Sequence, residues 1–514
     1  MAHAFLTRDG VLDPPPATQL QPLKEALARG GCKLALHLHG GLVDQKAGEA
    51  IAKRLSGGPP KGFTIGPEWE QAYVVWRTGA LESVGANWTE LLDRQLQQVS
   101  ADDLFKTLLV KVLKFAGDHF GPAAPGRGGG DAALLTETEI KARLMDGGLD
   151  GPDPFADLDR SAAFRSADPR GGGRGMAMAD PDEAAIAFAL SIDPDIAKRA
   201  ADIAAADHAA GRGPASAGDH TAGERTLTTV DPGIAAELAA PGSEPAARSL
   251  ISSANIVIAI ARHGAAIVLR VVRRFRSGRD HGLYCTCIEE ILRELYGDRI
   301  GIAVWGFMKQ DGADHFRPGR FGDQLLDIIR MHPPERMVIT GHSAGSIFAT
   351  ELLLAAAAKG VPGPFDVAFM VPAVRIRRFA EALTKARAQI GRFRLFAMHD
   401  ALEQNDALLS KAPRLYPRSL LYIVSGLFEA SDGAPAPDAP LLGMERFLGM
   451  DPNLLSEREE RAALSAVLAF LATAQNGVVY SKSEGQAAGL NTLSISHGDF
   501  DAEAQTLASV STFY

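Results

Sequence analysis

The residues in this 514-residue chain best suited to chemistry begin at Gly341-His342-Ser343-Ala344-Gly345. A serine hydroxyl is a weak nucleophile. It needs a base within hydrogen-bond reach, and the base needs a partner that fixes its tautomer and stabilises its charged form. The chain supplies both types in order after Ser343: a carboxylate in His399-Asp400 and an imidazole in Ser496-His497-Gly498-Asp499. Asp406 is the alternative carboxylate if a helix starts at Ala401.

The elements around Ser343 are those such a nucleophile requires. The apolar run 337–340, with β-branched residues, enters the motif. The Ala-rich stretch 347–359 leaves it and is closed by Gly360. That pattern predicts strand, sharp turn and helix. The turn would hold the hydroxyl above the sheet, and the flanking glycines remove Cβ atoms that would clash there. The helix N-terminus would direct N–H groups and a positive dipole end at any oxyanion formed beside the hydroxyl.

A second glycine-rich site, His39-Gly40-Gly41-Leu42, ends the buried stretch 32–39. Glycines at a strand end let backbone N–H groups approach a ligand closely. Gly41, with Gly40 and Leu42 as neighbours, is therefore a candidate oxyanion donor, and Ala344 is its counterpart at the elbow.

Further strands are expected at 71–78, 365–371, 393–398, 419–424 and 492–496. Helices are expected at 23–28, 88–99, 249–276, 287–296, 375–389 and 457–474, while 300–308 fits a strand or a buried helix. Residues 1–30 otherwise read as a polar lead-in. Buried strands separated by helical material imply an α/β protein with a mainly parallel sheet flanked by helices. Ser343, Asp400 and His497 would then all follow strand C-termini, the edge at which open parallel sheets build their sites. Three parts are expected: 1–80 and 299–514 as the two halves of a core, and 81–298 as an insertion. Within the insertion, 121–248 is rich in Gly, Ala, Pro, Asp and Arg and predicts mobile, partly disordered loops, and 249–298 is a helical cap candidate.

Composition narrows the partners. A net charge of −9 argues against a nucleic-acid footprint. Three cysteines make no disulfide framework, and Cys285-Thr286-Cys287 has poor spacing for zinc. His37 and His39 share a strand face without further ligands, so no metal is expected. Asp311, Asp314 and His315 form a competing acid–base cluster whose plain reading is a solvated loop or cap. No secretory signal or clean membrane span is legible, so a cytoplasmic protein is expected. Residues 256–279, apolar and then arginine-rich, could make a peripheral membrane contact, or form a cap or core helix with a solvated basic end.

With these residues together, the chain resembles the α/β-hydrolases of serine esterase and lipase type, over roughly 31–80 and 299–505. The resemblance rests on His39-Gly40-Gly41, on Gly341-His342-Ser343-Ala344-Gly345 and on the order Ser, Asp, His. The tail, with Tyr416-Pro-Arg-Ser-Leu-Leu-Tyr422 and Ser-His-Gly-Asp-Phe-Asp, is also similar to bacterial α/β-hydrolases of undefined substrate. The resemblance implies Ser343 as nucleophile, His497 as general base and then acid, Asp400 as orienting carboxylate, and the N–H groups of Gly41 and Ala344 as the oxyanion hole. It implies hydrolysis of a carboxylic ester, a small-molecule acyl ester substrate, through an acyl-enzyme, with no metal or organic cofactor. The same residues also serve thioesterases, acyltransferases and peptidases. The alternative from another class is a non-catalytic or membrane-associated binding protein on this fold. One departure stands out: the insertion precedes the nucleophile strand, whereas caps in this superfamily more often follow the strand after it.

Overall fold

A computed structural model describes residues 2–13, 19–40, 45–77, 103–120, 136–146, 155, 263–275, 277–296, 302–407, 416–429, 438–455, 457–473 and 477–514. The expected helix at 88–99 and most of the 121–248 stretch lie outside the described residues.

The chain is an α/β protein built on one mixed, mostly parallel sheet of eight strands: β1 (Ala2–Arg8), β2 (Val11–Leu12), β3 (Lys33–Leu38), β4 (Trp69–Arg77), β5 (Met337–His342), β6 (Phe365–Met370), β7 (Ile390–Met398) and β8 (Val478–Ser481). They lie in the order β2-β1-β4-β3-β5-β6-β7-β8. Every described pairing is parallel except β1 with β2. Parallel strands buried on both faces need near-continuous apolar runs, and β5 is buried at every position.

Helices flank the sheet: α1 (Gln21–Ala28), α2 (Gln45–Ser56), α3 (Asp103–Phe120), α4 (Glu137–Asp146), α5 (Leu283–Tyr296), α6 (Ile302–Asp314), α7 (Phe321–Met331), α8 (Gly345–Lys359), α9 (Ile376–Lys385), α10 (Arg458–Leu471) and α11 (Ala504–Ser511). The helix α8 follows the turn at Ser343 and buries Ile347, Phe348, Leu352, Leu353 and Ala356. It stops at Gly360, whose φ of 67° returns its N–H to the last carbonyls of the helix, a conformation costly for any residue with a Cβ.

Three expectations are corrected. Residues 2–8 are a strand, β1, pairing with β4 in parallel; the alternate burial of His3, Phe5 and Thr7 carries the period of two that a half-buried strand requires. The stretch 419–424 is helical, running from Leu420–Ile423 into a π turn at Val424–Phe428. Its β-branched and aromatic residues pack inward, and the Ser419 side chain caps the Tyr422 N–H, so tertiary burial overrides strand preference. The last strand is β8, and 492–496 makes only one bridge, Thr492 to Ser483. Of the run 300–308, read as a strand or a buried helix, the described residues 302–308 lie in helix α6.

Of the arginines expected at a solvated basic end, Arg274 and Arg279 turn inward, Arg273 is exposed, and Arg276 lies outside the described residues. Arg274 is fully buried, with its guanidinium 3.0 Å from Glu290 and also on Glu289. His281 lies between Glu289 and Asp438, at 2.7 and 2.8 Å. Arg279 bonds Glu460 at 3.2 Å, and Arg446 bonds Asp438 at 3.0 Å. Three surrounding arginines pull the Glu290 carboxyl down to about 2 against its burial. The cluster binds the helical segment 263–275 and α5 to the C-terminal part of the chain, and apolar residues of that segment and of α3 join the same core as the sheet. Among the described residues, no helix is long and apolar enough to cross a membrane.

Candidate active site

Strand β5 sits between β3 and β6, with Leu38 opposite Gly341 and His342 opposite Met370. The chain then turns through Ser343 at φ 50°. A non-glycine residue there costs on the order of 1–3 kcal/mol and must be held by its surroundings. The Ser343 N–H donates to the Met370 carbonyl at 2.9 Å, and the Ser343 carbonyl accepts from the Ala373 N–H at 3.1 Å. The Ser346 hydroxyl donates to that carbonyl at 2.6 Å. Both flanking glycines are sterically required. A Cβ on Gly341 would lie 3.0 Å from the Gly345 backbone, and one on Gly345 only 2.2 Å from the Leu38 carbonyl oxygen.

His497 reaches this turn from the C-terminal part of the chain. It opens a 3-10 turn, His497–Asp499, whose Ser496 and Asp499 form a reciprocal capping box. Its Nε2 stands 2.8 Å from Ser343 Oγ, with both residues buried. Burial, and then the charge of neighbouring His342, holds the His497 imidazole well below the usual histidine range, which keeps it neutral and able to accept a proton.

The carboxylate beside His497 is Asp406. Its Oδ2 accepts the His497 backbone N–H at 2.7 Å. Asp400 is engaged elsewhere, accepting from the Tyr422 hydroxyl at 2.6 Å and from the Gln404 amide at 2.7 Å. Proximity to the end of β7 favoured Asp400, but Asp400 opens a short helix, Asp400–Glu403, and the chain delivers Asp406 to the histidine just beyond it. Burial pushes the Asp406 carboxyl up to about 6, against the lowering effect of the His497 N–H and with Asp499 adding to the rise. The His497 Nδ1 is buried and makes no hydrogen bond among the described residues.

Gly40, just past the end of β3, meets the same place. A Cβ on Gly40 would sit 3.5 Å from the Ser343 Cβ and 3.1 Å from the His342 ring. Gly41 and Leu42 lie outside the described residues. Ala344 heads α8 and is buried directly after the serine. The structure thus brings Ser343, His497, Asp406, Ala344 and Gly40 together and leaves Asp400 apart.

Two residues that the sequence reading gave no role also stand here. His342 donates from Nε2 to the His497 carbonyl at 3.1 Å, and Asp501 lies behind it. Both fall inside motifs singled out from the sequence, but nothing local tells which motif neighbours meet in space.

The other reactive groups are interior. His37 bonds the Thr340 hydroxyl at 2.8 Å, and burial lowers His39 to about 4. The Asp311 and His315 pair, expected in a solvated loop, is buried at the end of α6. His315 bonds the Asp311 carbonyl and the Thr7 hydroxyl, and burial, then Asp9 and Asp314, pushes the Asp311 carboxyl up to about 8. Cys285 and Cys287 are buried thiols outside any disulfide. Among the described residues, no three His, Cys, Asp or Glu side chains converge as metal ligands.

A neutral imidazole on a strained, buried serine hydroxyl at a helix N-terminus can remove the hydroxyl proton while the serine attacks an electrophilic carbonyl. Searches of protein-family models, curated proteins and solved structures found no match to this chain.

Proposed function

We propose that this protein is a serine hydrolase of the α/β-hydrolase type that cleaves a carboxylic ester through an acyl-enzyme. The reading is carried by one observation, the 2.8 Å contact of His497 Nε2 with the Oγ of a left-handed Ser343 at the head of α8. A structural turn needs neither a strained serine nor a buried neutral base upon it.

In this account His497 takes the Ser343 proton as Oγ attacks the ester carbonyl. The N–H of Ala344 receives the oxyanion, with the N–H of Gly41 as the second donor that the sequence resemblance implies; each such donor is worth roughly 3 kcal/mol. Asp406, already on the His497 main chain, turns its second oxygen toward Nδ1 as the imidazolium forms, since hydrogen bonds that are loose in a free enzyme tighten with substrate. The imidazolium then protonates the leaving alcohol, and His497 activates water to release the acyl group. Ester in preference to thioester or amide follows from the resemblance seen in the sequence.

The test is turnover of p-nitrophenyl esters of graded acyl length by the intact protein and by Ser343→Ala. Turnover that disappears with the hydroxyl supports the proposal; equal turnover by both proteins refutes it.

A further inference from the structure

His342 stands between the two halves of the site. Its Nε2–H holds the His497 carbonyl at 3.1 Å, and the two rings lie 5.5 Å apart, tilted by 40°. Its Nδ1 faces Asp501, whose Oδ2 is 4.0 Å away. Asp501 is held in turn by Arg54 of α2, which reaches that carboxylate at 3.2 Å and also donates to the Asp501 carbonyl. On the other side the ring packs so closely on Gly40 that a Cβ there would fall 3.1 Å from Nδ1. A brace therefore runs from α2 through Asp501 and His342 to the main chain of His497, touching Gly40 on the way.

We propose that His342 is a positioning residue, which clamps the carbonyl of His497 and thereby fixes the distance between the imidazole and the serine hydroxyl. The inference rests on the serine-hydrolase reading of the same site. Its physical basis is leverage: His342 precedes the nucleophile by one residue, so a bond from its ring to the His497 main chain ties both reacting groups to one point. A displacement of about 1 Å at a reacting pair can cost on the order of 10²-fold in rate. The ring also acts electrostatically, since a positive charge on it opposes one on His497. The titratable and charged groups facing His342 are His497 and Asp501 on the C-terminal segment, Arg54 on α2, and His37 and His39 from β3 and its end.

The experiment compares second-order labelling by a fluorophosphonate probe, as a function of pH, in the intact protein, Ser343→Ala, His342→Leu and His342→Gln, with thermal melts on each. Labelling should depend on Ser343. His342→Leu should slow it by about 10²-fold, while His342→Gln, whose amide N–H can replace the lost donor, should recover to within about five-fold of the intact protein. In both variants half-maximal labelling should move to higher pH, because the charge opposing protonation of His497 is gone. A merely structural role would not move that midpoint. Folded variants that label at the intact rate with the intact pH profile would overturn the inference alone. Should His342→Leu fail to fold, an unmoved midpoint in His342→Gln overturns it. An intact protein that shows no Ser343-dependent labelling overturns the hydrolase reading, and this inference with it.

Discussion

Replacing Asp406 with Asn should sharply lower activity and raise stability together. The variant is isosteric, and its amide oxygen can still accept the His497 N–H now bonded at 2.7 Å, so the loop keeps its anchor. What disappears is the negative charge beside an imidazolium. A unit charge about 4–5 Å away in an effective dielectric near 20 is worth roughly 3–4 kcal/mol. At about 1.4 kcal/mol per factor of ten, kcat/KM should fall by on the order of 10³-fold. Stability moves the other way. Burial pushes the Asp406 carboxyl up to about 6, above its unfolded value of 3.8. The folded state therefore holds the extra proton between those values, stability falls as pH rises through that window, and the deficit persists above it. Removing the ionisable group should return roughly 2–3 kcal/mol at about pH 7.5. Asp400→Asn disturbs the bonds to Tyr422 and Gln404, and should cost roughly 1 kcal/mol of stability with activity within about three-fold. Ester turnover and urea melts of both variants decide the matter. An inactive Asp400→Asn beside an active Asp406→Asn would refute the assignment.

Other substitutions probe the frame. A Cβ at Gly345 would lie 2.2 Å from the Leu38 carbonyl, so Gly345→Ala should cost about 3 kcal/mol or more in denaturant melts; Gly360→Ala, with open space around it but φ 67°, should cost only about 1 kcal/mol. Arg274→Met strands Glu289 and Glu290 without the guanidinium they share and should cost about 3–5 kcal/mol, read by thermal melting at fixed pH. Asp311, pushed up to about 8 by burial, is protonated in the fold where the unfolded chain is ionised, so stability falls as pH rises between its unfolded and folded values. Asp311→Asn should gain on the intact protein by up to about 1.4 kcal/mol per pH unit from about pH 5 to 8, and a gap that stays constant with pH would contradict that protonation state.

The strand, turn and helix around Ser343 were legible because local pattern and steric need coincide there: an apolar β-branched run, glycines where Cβ atoms cannot fit, and a helix closed by Gly360. The strands β3, β4, β6 and β7 were legible for the same reason. The strand β1 was not, since its alternation of His, Phe and Thr puts two polar side chains on the buried face. Nor was the helical course of 419–424, which is imposed by packing and by the Ser419 cap. The serine and histidine meet at 2.8 Å, whereas the preference for Asp400 over Asp406 followed chain proximity to a strand end, and with only five residues between the two, sequence does not show which one meets His497. The inward turn of Arg274 and Arg279 was hidden for a like reason, because their partners lie on α5, α10 and at Asp438, elsewhere in the chain.

The central claim is that Ser343 is a nucleophile activated by His497, and the most direct measurement is covalent capture. The intact protein is treated with a fluorophosphonate, its mass is read, and the adduct is located by peptide mapping, in parallel with Ser343→Ala and His497→Ala. The account predicts a single adduct on Ser343, formed by the intact protein and by neither variant. An adduct on another residue, or one that forms undiminished in His497→Ala, would contradict it.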